Sequence, residues 1–104
     1  MFLSIVFSSE ESDQKVFDDK VRDVNTKYKK VLTLAQNQIE NLRKNKDLRV
    51  RIEHSLKNLQ QIQETIKPLM ERHPKLRMKL IEDFEKAIEF VNNEYKLNAF
   101  ESFQ

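Results

Sequence analysis

The sequence has 104 residues, of which 35% are charged, with no glycine, no cysteine and two prolines. The absence of glycine excludes phosphate-cradling loops, and the absence of cysteine excludes disulfides, thiolate metal sites and thiol nucleophiles. Lysine and arginine (19) nearly balance aspartate and glutamate (17), which argues against a nucleic-acid partner, and the scarcity of turn-forming residues favours helices over hairpins.

The chain opens with an apolar segment, residues 1–8, that is too short to span a membrane and lacks the basic start of a signal peptide. We expect this segment to pack on the fold as a short N-terminal extension. Ser8 and Glu11 form a capping box, which predicts that the first helix begins at about residue 9.

Apolar residues then recur in alternating steps of four and three, which is the spacing of one helix face. The first helix is therefore predicted to reach about residue 45, a length of about 50 Å. Gln38 is a polar position in this stripe, where an amide could fix the register of packing or contact a partner. Asn45 is a candidate left-handed C-cap. The stripe comprises Phe17, Val21, Val24, Tyr28, Val31, Ala35 and Leu42.

A second stripe runs from Leu48 to Ile66, and Pro68 interrupts it as either a kinked last turn or part of a connection. Pro74 suits the first position of a third helix. The third stripe comprises Leu80, Phe84, Ala87, Val91 and Tyr95, broadened by Leu76, Ile81 and Ile88. Residues 98–104 are expected either to fray or to fold back.

These elements predict a single all-α domain over residues 1–104, an antiparallel up-down-up three-helix bundle like a spectrin repeat, with a long first helix and a proline-kinked end of helix two. The segment charges support this topology. Residues 9–19 and 82–94 each carry a net charge of −4, and residues 43–51 and 67–79 each carry +4. An up-down-up bundle places each acidic segment beside a basic one.

No residue pattern indicates catalysis. His54 and His73 are the only histidines, and their spacing fits no metal motif. The carboxylate pairs are expected to face solvent, because a slender bundle offers no deep cleft that would raise their pKa values. We therefore predict neither an enzyme nor a bound cofactor or metal.

Residues that the predicted core does not need suggest a surface for a protein partner. The candidates are apolar side chains off the main stripes, the Gln38 amide and the first basic cluster. Phe90, Phe100 and Phe103 are surplus aromatics of the same kind. The predicted partner-binding residues are Leu34, Gln38, Arg43, Arg49, Arg51, Leu69 and Met70.

Tyr28, the segment Ile39-Glu40-Asn41-Leu42-Arg43 and the turn Asp47-Leu48-Arg49 resemble the corresponding elements of tubulin-binding cofactor A. Glu64-Thr65 ahead of Pro68 resembles the acidic-Ser/Thr pair that precedes a proline in that family. The resemblance covers about residues 28–68. It implies a small three-helix chaperone with tubulin as its partner.

The sequence thus predicts a non-enzymatic protein-interaction module, such as a small chaperone, co-chaperone or assembly factor, and we expect it to be cytoplasmic. Two alternatives stay open. The first is a membrane-trafficking domain, similar to a SNARE N-terminal bundle or a BAR domain, that binds a partner helix or an anionic membrane surface. The second is a self-assembling structural protein, such as a homodimer, in which the heptad stripe of helix one packs between chains.

Overall fold

A computed structural model describes residues 2–100 of the chain, with side chains from residue 12 onward. Three helices follow one another: α1 (Phe2–Asn41), α2 (Lys46–Arg72) and α3 (Arg77–Glu94). The described residues contain no strand. The predicted all-α three-helix class is therefore confirmed.

Contacts between the helices give their directions. The Arg77 guanidinium lies 4.4 Å from the centre of the Phe17 ring at the start of α3, and Tyr28 packs on Phe84 further along both helices. α1 and α3 are therefore parallel. The hydroxyls of Ser55 and Tyr95 share a hydrogen bond of 3.1 Å, which joins the early part of α2 to the end of α3. α2 is thus antiparallel to both neighbours, which is the up-down-up arrangement.

Most of the core comes from the predicted stripes, and Leu97 and Ala99 of the segment after α3, which belong to no predicted stripe, complete it. Helix α3 packs against both other helices more extensively than α1 and α2 pack against each other. The rings of Tyr28 and Phe84 meet edge to face, with centroids 5.3 Å apart, at the middle of this core. The buried apolar residues are Val24, Tyr28, Val31, Ala35, Ile52, Leu59, Ile66, Ile81, Phe84, Ile88, Val91, Leu97 and Ala99.

Both predicted ends of α1 are wrong. The helix begins at Phe2, so Ser8 lies inside it and does not cap it. No proline or glycine separates residues 2–7 from the following turns, so nothing stops the backbone hydrogen bonds from continuing. The prediction that residues 1–8 pack on the bundle concerns side chains outside the described ones.

Asn45 caps the second helix rather than ending the first. Helix α1 ends at Asn41, four residues before the predicted boundary. Asn45 has φ −111°, and its Oδ1 accepts a hydrogen bond of 3.1 Å from the Leu48 amide. This bond satisfies an otherwise unpaired donor at the start of α2, which explains why asparagine is used here as an N-cap.

Pro68 lies near the end of α2, which is one of its two predicted positions, whereas the prediction that Pro74 begins the third helix is wrong. Helix α2 continues through Pro68 to Arg72, because the ring removes only one amide and faces solvent. Pro74 lies in the turn before α3, which begins at Arg77. In that turn the Leu76 amide bonds the His73 carbonyl at 2.9 Å, and Leu76 is 52% exposed rather than part of the third stripe.

The chain folds back after α3. Lys96 has φ 51°, and the amides of Leu97 and Lys96 bond the carbonyls of Asn92 (2.9 Å) and Asn93 (3.3 Å), which is a Schellman arrangement. The buried Asn92 side chain accepts a further hydrogen bond of 2.8 Å from the Ala99 amide. Of the two predicted behaviours of residues 98–104, the described part through residue 100 folds back, and residues 101–104 lie outside the described ones.

Lys96→Gly is expected to stabilise the protein by about 1 kcal/mol, because a side chain with a Cβ is disfavoured in the left-handed region and glycine is not. The exposed Lys96 side chain forms no ion pair within the described residues, so little else is lost. Urea unfolding measures the change. Lys86→Gly, in the regular part of α3, is the matched control and should destabilise by about 1 kcal/mol; equal effects of the two substitutions would contradict the explanation.

Candidate interaction surface

A concave surface of the described bundle lies between α1 and α2, near the Pro74 turn, and we call it the α1–α2 groove. Its volume is about 610 Å³ and it is open to solvent. It exists because both helices pack mainly on α3, whose side chains form its floor. The apolar lining residues are Phe17, Val21, Ile66, Met70, Ile81 and Phe84, and the polar and charged ones are Asp18, Asn25, Gln63, Glu64, Lys67, Glu71 and Arg77.

One wall of the groove is fixed by Arg77. Its guanidinium stacks 4.4 Å from the centre of the Phe17 ring and donates a hydrogen bond of 3.0 Å to Gln14 Oε1. Gln14 in turn donates to Asp18 at 2.9 Å. A cation over an aromatic face restrains both side chains. Phe17 is therefore held at the edge of the groove, and the groove is preformed.

The basic segment 67–79 stands at the mouth of the groove. Lys67, Arg72 and Lys75 are exposed, and within residues 12–100 none of them has a carboxylate within 4 Å. As predicted, the basic segment 67–79 lies beside the acidic segment 9–19, and the hydrogen bond from Arg77 to Gln14 joins them. The two segments form no ion pair with each other among the described side chains. Asp19 instead pairs with Arg22 of its own helix. The mouth therefore keeps positive charge available to a partner.

A charged cluster that the sequence did not reveal joins the middle of α1 to α3. The Glu85 carboxylate accepts from Lys20 at 2.7 Å and from Lys27 at 2.8 Å, and Lys27 also lies 3.3 Å from Asp23. Burial disfavours the Glu85 carboxylate, but the hydrogen bonds from the two lysines outweigh it and lower the pKa of Glu85. The same carboxylate raises the pKa of Lys27 against the opposing effect of burial.

This cluster links α1 to α3. Each lysine pairs with Glu85, and Lys27 also lies 5.4 Å from the centre of the Phe100 ring in the folded-back segment. A sequence signal did exist, because Lys20 and Lys27 are one heptad apart on α1 beside the apolar stripe. The partner carboxylate on α3 becomes evident only from the packing. Nearby, burial and the charge of Glu64 raise the pKa of Tyr28.

The seven predicted partner-binding residues do not form one surface. Met70 lines the α1–α2 groove, whereas Arg43 and Arg49 line a shallow depression at the other end of the bundle. Arg51 is 3.7 Å from Glu94, which joins the first basic segment to the acidic part of α3. The remaining three are half-buried: Leu34 packs against the core, Leu69 lies near the end of α2, and Gln38 has a buried Oε1 with no hydrogen-bond partner among the side chains of residues 12–100.

The surplus aromatics also separate. Phe90 is 66% exposed on the outer face of α3, as its position off the stripe suggested. Phe100 instead packs against the core beside Lys27, because the folded-back segment carries it there. Phe103 lies outside the described residues.

Neither a metal-binding group nor a membrane-spanning helix is found among the described residues. Within them, no three His, Asp or Glu side chains are grouped so that they could hold a metal ion, and both histidines are exposed. None of their helices is long and apolar enough to cross a membrane. Comparison of the chain with models of protein families, with curated proteins and with solved structures finds no match.

Proposed function

We propose that the chain is a non-enzymatic protein-interaction module that receives an amphipathic helix of a protein partner in the α1–α2 groove. The observation that carries the proposal is the groove itself, an open apolar channel between two helices of a bundle. A helix laid there would complete a four-helix arrangement and cover Val21, Ile66 and Met70.

The contacts around the groove support binding without a large ordering cost. Phe17 is held by Arg77, and the floor residues Ile81 and Phe84 are fully packed in the core. A preformed surface loses little conformational entropy when a partner binds, so more of the apolar contact energy appears as affinity. A small chaperone or assembly factor would use such a surface to hold a client segment.

Met70→Lys is expected to weaken partner binding at least about tenfold, because it places a charge against the apolar face of the incoming helix. The chain should stay folded, since lysine is a good helix former and its aliphatic part can cover the same surface. Purified tubulin, suggested by the resemblance of residues 28–68, is the first defined partner to test by sedimentation, followed by proteins captured from a lysate.

Val50→Lys is the matched control, because Val50 is 50% exposed at the other end of the bundle. Equal retention of every bound protein by the two variants would contradict a role for the groove. Sedimentation of the chain with anionic vesicles, reversed by salt, would replace the proposal with the membrane-surface alternative. We expect the chain to stay in the supernatant.

A further inference from the structure

Helix α1 extends well past the rest of the bundle at the end that carries the groove. Phe17 lies beside Arg77, the first residue of α3, and the two helices are parallel. Residues 2–16 of α1 therefore precede the level at which α3 begins, a distance of about 22 Å. The long dimension of the molecule, 66 Å, agrees with a straight α1 of 40 residues.

The sequence of this extension has a clear order. Residues 2–7, which we call the apolar strip, contain Phe2, Leu3, Ile5, Val6 and Phe7 and no charged residue. Residues 10–13, which we call the acidic collar, contain Glu10, Glu11 and Asp13. Because the strip continues the backbone of α1, it points away from the groove of its own bundle and cannot enter it while α1 stays helical.

The groove has the complementary order. Its inner part is lined by Val21, Ile66, Ile81 and Phe84, and the charged residues that line its mouth are Lys67, Arg77, Asp18 and Glu71. Arg72 and Lys75 are exposed and directly follow the lining residues Glu71 and Pro74 in the chain, so they add two positive charges beside the mouth. On α1 the groove runs from Phe17 to Asn25, about 12 Å. The strip and the two residues after it are also about 12 Å long as a helix.

We propose that the α1–α2 groove binds the apolar strip of a second copy of this chain. The incoming α1 lies antiparallel to the resident one, with its strip against the inner apolar lining and its acidic collar beside the basic mouth. The exchange is reciprocal about a twofold axis, so each bundle gains a fourth helix from its partner. This inference rests on the proposed function, since it names the helix that the groove receives.

The direction of insertion follows from charge. The reverse direction would place the acidic collar inside the groove next to Glu64, and the strip in water beside Arg72 and Lys75. Like charges and desolvated carboxylates disfavour that arrangement, whereas the proposed one pairs opposite charges at the mouth and leaves the uncharged strip in the apolar part.

A charge exchange between two variants tests the contact. Wild-type chain should sediment at about 25 kDa, twice the 12.5 kDa of one chain. The double variants E10K/E11K and R72E/K75E should each raise the dissociation constant of the dimer about tenfold or more, because each faces its own copy with like charges. An equimolar mixture should restore the dimer, since both of its collar–mouth contacts join opposite charges.

The expected result is a heterodimer in the mixture and monomers in each variant alone, with unchanged circular dichroism. A wild-type chain that stays at 12.5 kDa over about a hundredfold range of concentration would overturn the inference. Dimers that persist in both variants, or a mixture that stays monomeric, would overturn it too.

A substitution in the strip separates this inference from the proposed function. V6D should abolish the dimer and leave the groove open, so that a helix of another partner protein still binds the V6D chain. Met70→Lys should still weaken the binding of that partner. If the chain is monomeric but Met70→Lys loses a partner, the groove is an interaction site for a different protein. If neither self-association nor partner binding depends on Met70, the proposed function fails as well.

Discussion

Phe84→Ala is expected to lower the free energy of unfolding by about 3–5 kcal/mol, the usual cost of removing a buried aromatic ring. Phe84 is 1% exposed, and its ring meets Tyr28 edge to face at 5.3 Å. It also forms part of the groove floor. Native domains are stable by only about 5–15 kcal/mol, so this loss removes much of the total. Thermal unfolding should shift down by roughly 15–25 °C.

The control for this prediction lies on the same helix. Phe90→Ala removes the same ring from a site that is 66% exposed, and it should change stability by no more than about 0.5 kcal/mol. Both variants should be measured by urea unfolding followed by circular dichroism. Similar losses for the two substitutions would show that Phe84 does not lie in the centre of the core.

Glu85→Gln is expected to destabilise the protein by about 2 kcal/mol near neutral pH. The carboxylate accepts hydrogen bonds from Lys20 at 2.7 Å and Lys27 at 2.8 Å, and its side chain is 13% exposed. Hydrogen bonds to a charged group contribute about 1.5–3 kcal/mol. The amide that replaces the carboxylate carries no charge, so the two ammonium groups would also repel each other between α1 and α3.

The contribution of this cluster depends on pH in a defined direction. The pKa of Glu85 is lowered below its ordinary value of 4.5, so its stabilisation is complete above that pH and is lost as the pH falls through the folded-state pKa. The pKa of Lys27 is raised above 10.5, so its stabilisation is complete below that pH and is lost as the pH rises through the folded-state pKa. The contribution of this cluster to the free energy of unfolding should therefore be constant between these limits.

Urea unfolding as a function of pH measures this dependence. Glu85→Gln should flatten the decline on the acid side. Asp83→Asn is the control, because Asp83 contacts Lys79 in an exposed pair one turn apart, and such pairs contribute about 0.3–0.5 kcal/mol. An acid decline of the same size in Glu85→Gln and in the unsubstituted chain would contradict the assignment.

The number, order and packing faces of the helices were predictable from the sequence, whereas their ends were not. Apolar residues at helical spacing, such as Val24 and Val31 on α1 and Phe84 on α3, can be buried only if the helices pack on one another. Helix ends depend on smaller energies. Asn45 could cap the end of α1 or the start of α2, and Pro68 could either end α2 or be tolerated on its solvent-facing side. The alternatives at each position differ in free energy by about 1–3 kcal/mol, so the packing of the whole protein decides between them.

The candidate site was less predictable for a related reason. The sequence predicted Met70 as a partner-binding residue because the core did not need it, but the groove is also lined by Phe17 and Ile81 from the two other helices. Whether residues far apart in the chain meet depends on how tightly the helices approach one another. Leu34 shows the converse, since it lies off the main stripe and still packs against the core because the stripe is wider than one seam.

Position 92 should tolerate very few substitutions, although the solvent-exposed positions of the helices tolerate many. Asn92 holds the Leu97 amide with its carbonyl and the Ala99 amide with its side chain, and it is 7% exposed. Aspartate would bring a charge into an apolar site, glutamine would carry its oxygen one methylene too far, and alanine would leave the Ala99 donor without an acceptor. In a library of all substitutions at this position that is selected for folded protein, asparagine should therefore be strongly enriched over every other residue.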